Sequence, residues 1–140
     1  MHILPAIDIT SDALNAEKVR LEVIGQNIAN AQTTRGPGGV PYQRKVVTFE
    51  TELRNANAAD GGHRVEGLRV SAITADPTPG QSIFSPGHPH ADANGMVQMP
   101  NVNLAEEMVD MITASRAYEA NLSVVRTARQ MAQRALAIGR

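Results

Sequence analysis

Metal-binding residue types occur at alternate positions in the segment GHPHADAN, residues 87–94. His88, His90 and Asp92 could bind a metal ion, and Asn94 continues the alternation. However, the prolines and glycines of this segment favour turns. Asp and Asn side chains in turns usually accept hydrogen bonds from their own backbone. We therefore interpret the segment as a turn and predict no metal site.

Carboxylates cluster at Glu106, Glu107 and Asp110, and positioned carboxylate pairs can perform acid–base catalysis. The same residues also follow directly on the predicted start of a long helix. Negative charge is favourable there because of the helix dipole. This explanation requires no substrate, so we predict no catalytic residue and no enzyme. The methionines are interpreted as apolar packing residues, and no cofactor is predicted.

A third candidate is the stretch NIANAQTTRGPGGVPYQRK, residues 27–45, which combines glycines with an aromatic residue and cations. It lacks the G-x-x-x-x-G-K-[ST] pattern of a phosphate-binding loop. The formal net charge of the chain is −1, so no basic field favours nucleic acid. The stretch is interpreted as a Gly/Pro turn between a helix and a strand, and no nucleic-acid partner is predicted.

Apolar residues repeat at helical spacing near both ends of the chain. In the first repeat Leu14, Leu21 and Ile28 are seven residues apart, with Ile24 on the adjacent row. The second repeat alternates steps of four and three residues through Leu104, Met108, Met111, Ser115, Tyr118, Leu122, Val125, Arg129, Ala132 and Leu136. It predicts a helix of about 35 residues, roughly 50 Å long.

The middle of the chain has strand patterns instead. Val46–Phe49 is apolar and β-branched, and Val65–Ile73 alternates apolar and polar residues. Residues 55–64 are predicted to form a turn or mobile connection. In the Pro- and Gly-rich segment that follows, only Ser82–Phe84 or Met96–Met99 could form a short strand.

The predicted fold class is mainly α with a small β-rich insert. It comprises an N-terminal helix (1–31), a middle segment of short strands and loops (32–101) and a long C-terminal helix (102–140). Because the insert is small and the chain has only four aromatic residues, the helices are expected to bury their apolar rows in coiled-coil-like packing. No apolar run reaches membrane-spanning length, and no signal-peptide pattern opens the chain, so membrane insertion is not predicted.

Three stretches resemble the bacterial flagellar basal-body rod proteins, and most closely the members that form the proximal rod. They are NIANAQTT at the end of the first helix, PGGVPYQRK after it, and SPGHPHADANGMVQMPNVNLAEEMVDMITASRAYEAN leading into the second helix. Together the resemblance covers nearly the whole chain.

The resemblance implies a structural subunit located in the rod, which spans the periplasm. Such a subunit would be exported by the flagellar type III apparatus without a cleaved leader. It would assemble helically around the central channel and transmit torque from motor to hook. The implied partners are other rod subunits, further copies of the chain, the basal-body MS ring or its adaptor, and the export apparatus.

The assembly interface is predicted on the apolar rows, the asparagines of the first helix end and the polar residues after the turn. These residues are Leu14, Leu21, Ile24, Asn27, Ile28, Asn30, Tyr42, Arg44, Lys45, Leu104, Met108, Met111, Ile112, Ser115, Tyr118, Asn121, Leu122 and Val125. The alternative is a self-contained helical adaptor or export chaperone. A metal-dependent enzyme is a third hypothesis, which requires stoichiometric metal.

Overall fold

Two terminal helices enclose a small β-rich insert. The computed structural model describes residues 4–55 and 64–138, with side chains described at 9–52 and 67–138. The elements are α1 (Leu4–Ala29), β1 (Lys45–Asn55), β2 (Arg64–Ala75), β3 (Ser82–Phe84), β4 (Met96–Gln98) and α2 (Leu104–Ile138). This order confirms the predicted mainly helical architecture with a small β-rich insert, and the strands of the insert pair antiparallel. The predicted turn at 55–64 lies outside the described residues, except for its two end residues, which belong to the strands.

The helices pack antiparallel against each other. Asn27 contacts Glu107, and the Arg20 side chain lies 3.9 Å from Asp110. Residue numbers therefore decrease along α1 in the direction in which they increase along α2. Asn103 caps α2 because its Oδ1 accepts a hydrogen bond from the Ala105 N–H at 3.1 Å. In the described part of the chain, neither helix combines the length and hydropathy needed to span a membrane.

The buried face of α1 differs from the predicted row. Its buried apolar side chains are those of Ala16, Val23 and Ile24, whereas those of the predicted row at Leu14, Leu21 and Ile28 are half-buried. The difference arises because β1 and β2 also pack on α1, so that α2 and both strands together cover this helix. Coiled-coil-like packing of the helices stays a prediction.

Both predicted long strands are present and extend beyond their apolar residues. β1 and β2 pair antiparallel from Lys45↔Ala75 to Asn55↔Arg64. The register shifts after Thr48, where β2 contributes an additional residue, as in a β-bulge. The two segments considered for a short strand both form one, and β3 pairs antiparallel with β4.

The backbone at Gly80 approaches the segment after β4 too closely for any side chain. A Cβ atom at Gly80 would lie 1.9 Å from the Met99 carbonyl oxygen. The Gly80 carbonyl also accepts a hydrogen bond from the Gln98 side chain at 2.9 Å. Glycine is therefore required here to let the two backbones meet.

We predict that Gly80→Ala lowers the free energy of unfolding by about 2 kcal/mol, because the methyl group must displace backbone atoms. Urea denaturation followed by circular dichroism measures the change. Gly87→Ala is the matched control, since a Cβ there meets nothing within 4 Å. Equal effects of the two substitutions would contradict the packing argument.

Candidate functional site

A cluster of polar groups, centred on the buried side chains of Asn27 and Glu107, joins the two helices to the start of β1. We call it the polar cluster: Asn27, Tyr42, Arg44, Lys45 and Glu107. Asn27 Nδ2 donates to Glu107 Oε2 at 3.0 Å and to the Lys45 carbonyl at 2.9 Å. Its Oδ1 accepts from the Lys45 N–H and from the Tyr42 hydroxyl, each at 2.9 Å. The Asn27 amide thus forms four hydrogen bonds, which satisfies both its donor and its acceptor groups.

Glu107 contributes a negative charge to this cluster from a side chain that is 0% exposed. Arg44 Nε donates a hydrogen bond of 2.6 Å to Glu107 Oε1, and this hydrogen bond is the main reason why the pKa of Arg44 is raised. A second carboxylate, that of Asp110, lies 3.6 Å from Arg44 Nη2. A fully buried carboxylate is tolerated only when it is paired and hydrogen-bonded, and Arg44 and Asn27 meet both needs.

The main chain of Arg44 is held in place by Asn101. Asn101 Oδ1 accepts from the Arg44 N–H at 2.7 Å, and its Nδ2 donates to the carbonyls of Asp76 and Thr78 at 3.1 and 2.9 Å. The Asp76 N–H in turn donates to the Arg44 carbonyl at 2.7 Å. The segments before β1, after β2 and before α2 are therefore fixed to one another at the residue that neutralises Glu107.

A tight turn returns the chain from the end of α1 to this cluster. The Gly39 N–H donates to the Gly36 carbonyl at 3.1 Å, Pro37 follows Gly36, and Gly38 has φ 88°. This is the pattern of a type II turn, which needs a residue with positive φ at its third position. The Tyr42 N–H then bonds to the Thr33 carbonyl at 3.0 Å. The predicted Gly/Pro turn between helix and strand is therefore present.

The histidine segment forms local hydrogen bonds. His88 Nδ1 accepts from the His90 N–H at 3.1 Å, and Asp92 Oδ1 accepts from the backbone N–H groups of Asn94 and Met96 at 2.8 Å each. His90 Nδ1 lies 2.7 Å from the Thr34 hydroxyl, which connects this segment to the turn after α1. In the part of the chain that the structure describes, no group of three or more His, Cys, Asp or Glu residues could hold a metal ion.

The predicted interface residues fall into three classes of burial. Ile24 and Asn27 are buried within the chain. The half-buried ones are Leu14, Leu21, Ile28, Asn30, Tyr42, Arg44, Lys45, Met111, Ser115, Tyr118, Asn121, Leu122 and Val125. Leu104, Met108 and Ile112 are exposed. The structure brings the predicted residues Asn27, Tyr42, Arg44 and Lys45 together within one molecule, and their contacts with other molecules stay a prediction.

The exposed residues form a strip on α2 that we call the apolar row: Leu104, Met108 and Ile112. They are four residues apart, so they lie on one side of the helix, and their exposed fractions are 47%, 55% and 55%. At its start, Leu104 lines an open groove of about 520 Å³ together with Ile83, whose exposed fraction is 47%. The groove lining also contains the polar residues Thr78, Gln81 and Asn103, so the apolar row adjoins a groove of mixed polarity.

The place of Glu107 in this cluster, and the bond from Asn101 to the Arg44 main chain, were not predicted from the sequence. The dipole interpretation suits the exposed Glu106, but Glu107 is buried. One signal in the sequence points to burial of Glu107. From Glu107, steps of four, three and four residues lead to Met111, Ala114 and Tyr118. A charged residue in phase with an apolar repeat indicates a buried polar contact. Its partners are far away in sequence and could not be read from local spacing.

We predict that Arg44→Ala destabilises the protein by about 3 kcal/mol, because it leaves the Glu107 carboxylate buried without a counter-charge. Chemical denaturation measures the loss. Adding Glu107→Gln to Arg44→Ala should restore part of it, since a neutral amide needs no cation. Arg35→Ala, at an exposed arginine, is the control and should change stability little. A loss no larger than the control's would show that Arg44 does not compensate the buried charge.

We also predict that Tyr42 ionises at higher pH in the folded chain than in the unfolded chain. Burial, followed by the negative charge of Glu107, raises the pKa of this phenol. Its stabilising contribution is complete below the pKa of the unfolded phenol and is lost as pH rises through the raised folded pKa. Phenolate absorbance in a Tyr118→Phe background, which leaves Tyr42 as the only tyrosine, measures the shift. Identical titrations in buffer and in denaturant would refute it.

Comparisons with known proteins agree with this architecture. Residues 7–37 match the family model "Flagella basal body rod protein", and residues 93–138 match "Flagellar basal body rod FlgEFG protein C-terminal". The chain is 42% identical to flagellar basal-body rod protein FlgC of Yersinia enterocolitica, with 99% of each chain covered. It is 41% identical to the FlgC protein of Borreliella burgdorferi over 99% of this chain and 98% of the relative. It is 34% identical to the FlgC protein of Bacillus subtilis over 96% of this chain and 97% of the relative.

These relatives place the chain in the rod of the flagellar basal body, as a structural protein and not an enzyme. The two family matches cover most of α1 and all of α2. The chain therefore belongs to the FlgC family of flagellar basal-body rod proteins.

Proposed function

We propose that this protein is a subunit of the proximal rod that docks onto neighbouring subunits through the apolar row. The observation that carries the proposal is the exposure of Leu104, Met108 and Ile112 on a helix whose adjacent side packs on α1. Removing such a strip from water favours association. The groove of mixed polarity beside Leu104 extends the surface available to a partner.

The far end of α2 supports the same function. Leu136 and Ile138 have exposed fractions of 75% and 86%. α2 has 35 residues and α1 has 26, so the antiparallel pairing leaves the last turns of α2 beyond Leu4. An exposed helix end with apolar residues is stabilised by packing against other molecules more than by its own propensity. Rod subunits and further copies of the chain are the partners that we propose for this end.

The wider role follows from family membership and is part of the proposal. The subunit is exported by the flagellar type III apparatus, assembles helically around the central channel and transmits torque from motor to hook. At the base of the rod its neighbours include the MS ring or its adaptor. Helical assembly requires interfaces between different surfaces of the same subunit, and the apolar row and the far end of α2 are two such surfaces.

We predict that Ile112→Asp abolishes swimming while leaving the isolated protein folded. At the assembled interface the carboxylate would be buried without a partner, at a cost of several kcal/mol. In the isolated chain Ile112 is 55% exposed, so unfolding should shift by only about 0.5 kcal/mol. Ala120→Asp, at an exposed position on a different side of α2, is the control and should swim.

Mass spectrometry of detergent-purified basal bodies completes the test. Wild-type protein and the Ala120→Asp variant should be retained with the rod, and the Ile112→Asp variant should be missing. Retention of Ile112→Asp with normal swimming would exclude the apolar row as an interface. Absence of the wild-type chain from intact basal bodies would instead favour a soluble adaptor or export chaperone.

A further inference from the structure

We infer that the polar cluster determines the register and the partner of the α1–α2 pairing. This inference goes beyond the proposed function and does not depend on it. Helices with apolar repeats of four and three residues can often shift by seven residues, because the apolar contacts before and after the shift are alike. A buried polar contact that is satisfied in only one arrangement excludes the others.

The length of the connection between the helices does not fix their register. More than seventy residues separate the end of α1 from the start of α2. The strands of this connection pack on α1, and Asn101 is bonded to the Arg44 main chain, so the connection acts through such contacts and not through its length. The register must therefore be specified by contacts between the elements.

The polar cluster is satisfied only in the observed register. If α2 moved by seven residues in one direction, Asn27 would face Ala114, which has no side-chain donor or acceptor. If α2 moved by seven residues in the other direction, Asn27 would lie opposite the segment that precedes Leu104, the first residue of α2. In both cases the Asn27–Glu107 hydrogen bond is lost. Glu107 is also separated from Arg44, which Asn101 holds at the start of β1.

The same contacts disfavour pairing of like helices. Two α2 helices from different copies, packed in parallel and in register through the side that carries Glu107, would bring two Glu107 carboxylates together. Like charges that are buried together are strongly unfavourable. Two α1 helices would leave Asn27 without the Glu107 carboxylate, which now accepts a hydrogen bond from its Nδ2. The polar cluster therefore selects α1 with α2 over α1 with α1 or α2 with α2.

Distances between two spin labels test this inference. The chain has no cysteine, so Lys18→Cys and Arg116→Cys provide two unique attachment points, both exposed. The antiparallel alignment places these positions near each other on the two helices. Labelled chains are diluted with unlabelled chains so that only distances within one molecule are measured. A shift of seven residues moves one label about 10 Å along the helix axis.

Wild-type protein should give one distance. A variant with an apolar cluster, Asn27→Leu with Arg44→Met and Glu107→Leu, should keep its helical circular dichroism. It should show additional, longer distances, because the displacement of about 10 Å along the axis adds at right angles to the separation of the two labels. A smaller variant, Arg44→Met with Glu107→Met, tests the same point with Asn27 retained. The control is Glu119→Met with Arg126→Met, which removes two exposed charges of opposite sign on α2 and should keep one distance.

Two results would overturn the inference. If either cluster variant folds and keeps the single wild-type distance, other contacts set the register. If both cluster variants lose their helical signal while the control keeps it, the polar cluster is required for stability and not for the choice of register.

Discussion

Burial of one negative charge is the constraint on which the rest of the structure depends. The Glu107 side chain is 0% exposed, and the effective penalty for burying an unpaired ion is several kcal/mol. The compensating groups come from remote parts of the chain, Asn27 on α1 and Arg44 before β1. The helices can therefore pack in this way only when residues 42–45 also occupy their place. Helix pairing and hairpin docking are thus linked by electrostatics as well as by apolar contact.

The local structures around Arg44 follow from that requirement. The type II turn at 36–39 reverses the chain so that residues 42–45 run back along the end of α1. Asn101 then fixes the Arg44 main chain before β1. Its other bonds, to Asp76 and Thr78, hold the chain where it leaves β2 at the same end of the strand pair. Three segments without regular structure are ordered in this way by one asparagine side chain. This explains how a chain with few aromatic residues can position a long Pro-rich segment.

The sequence predicted the elements well because their signals are local. Repeats of three and four residues indicated both helices, and alternating residues indicated β1 and β2. The strands extend further than predicted because backbone pairing continues past their apolar residues. The cluster could not be predicted, since Glu107 lies 80 residues from Asn27 and nothing in the local spacing connects them. Asn27 and Arg44 were predicted as assembly-interface residues; the structure places both in contacts within the molecule, and their role in assembly stays a prediction.

The apolar repeat of α2 also shows why periodicity alone does not separate core from interface. A pattern that alternates four and three residues has a mean spacing of 3.5, and it drifts by about 20° per heptad around a straight helix. The apolar band of α2 is therefore wider than one partner helix can cover. Ala114 is buried, whereas Met108 and Ile112 remain more than half exposed. Under the proposed function, a rod subunit uses one apolar band for its own fold and another for its neighbours, and one long helix could carry both.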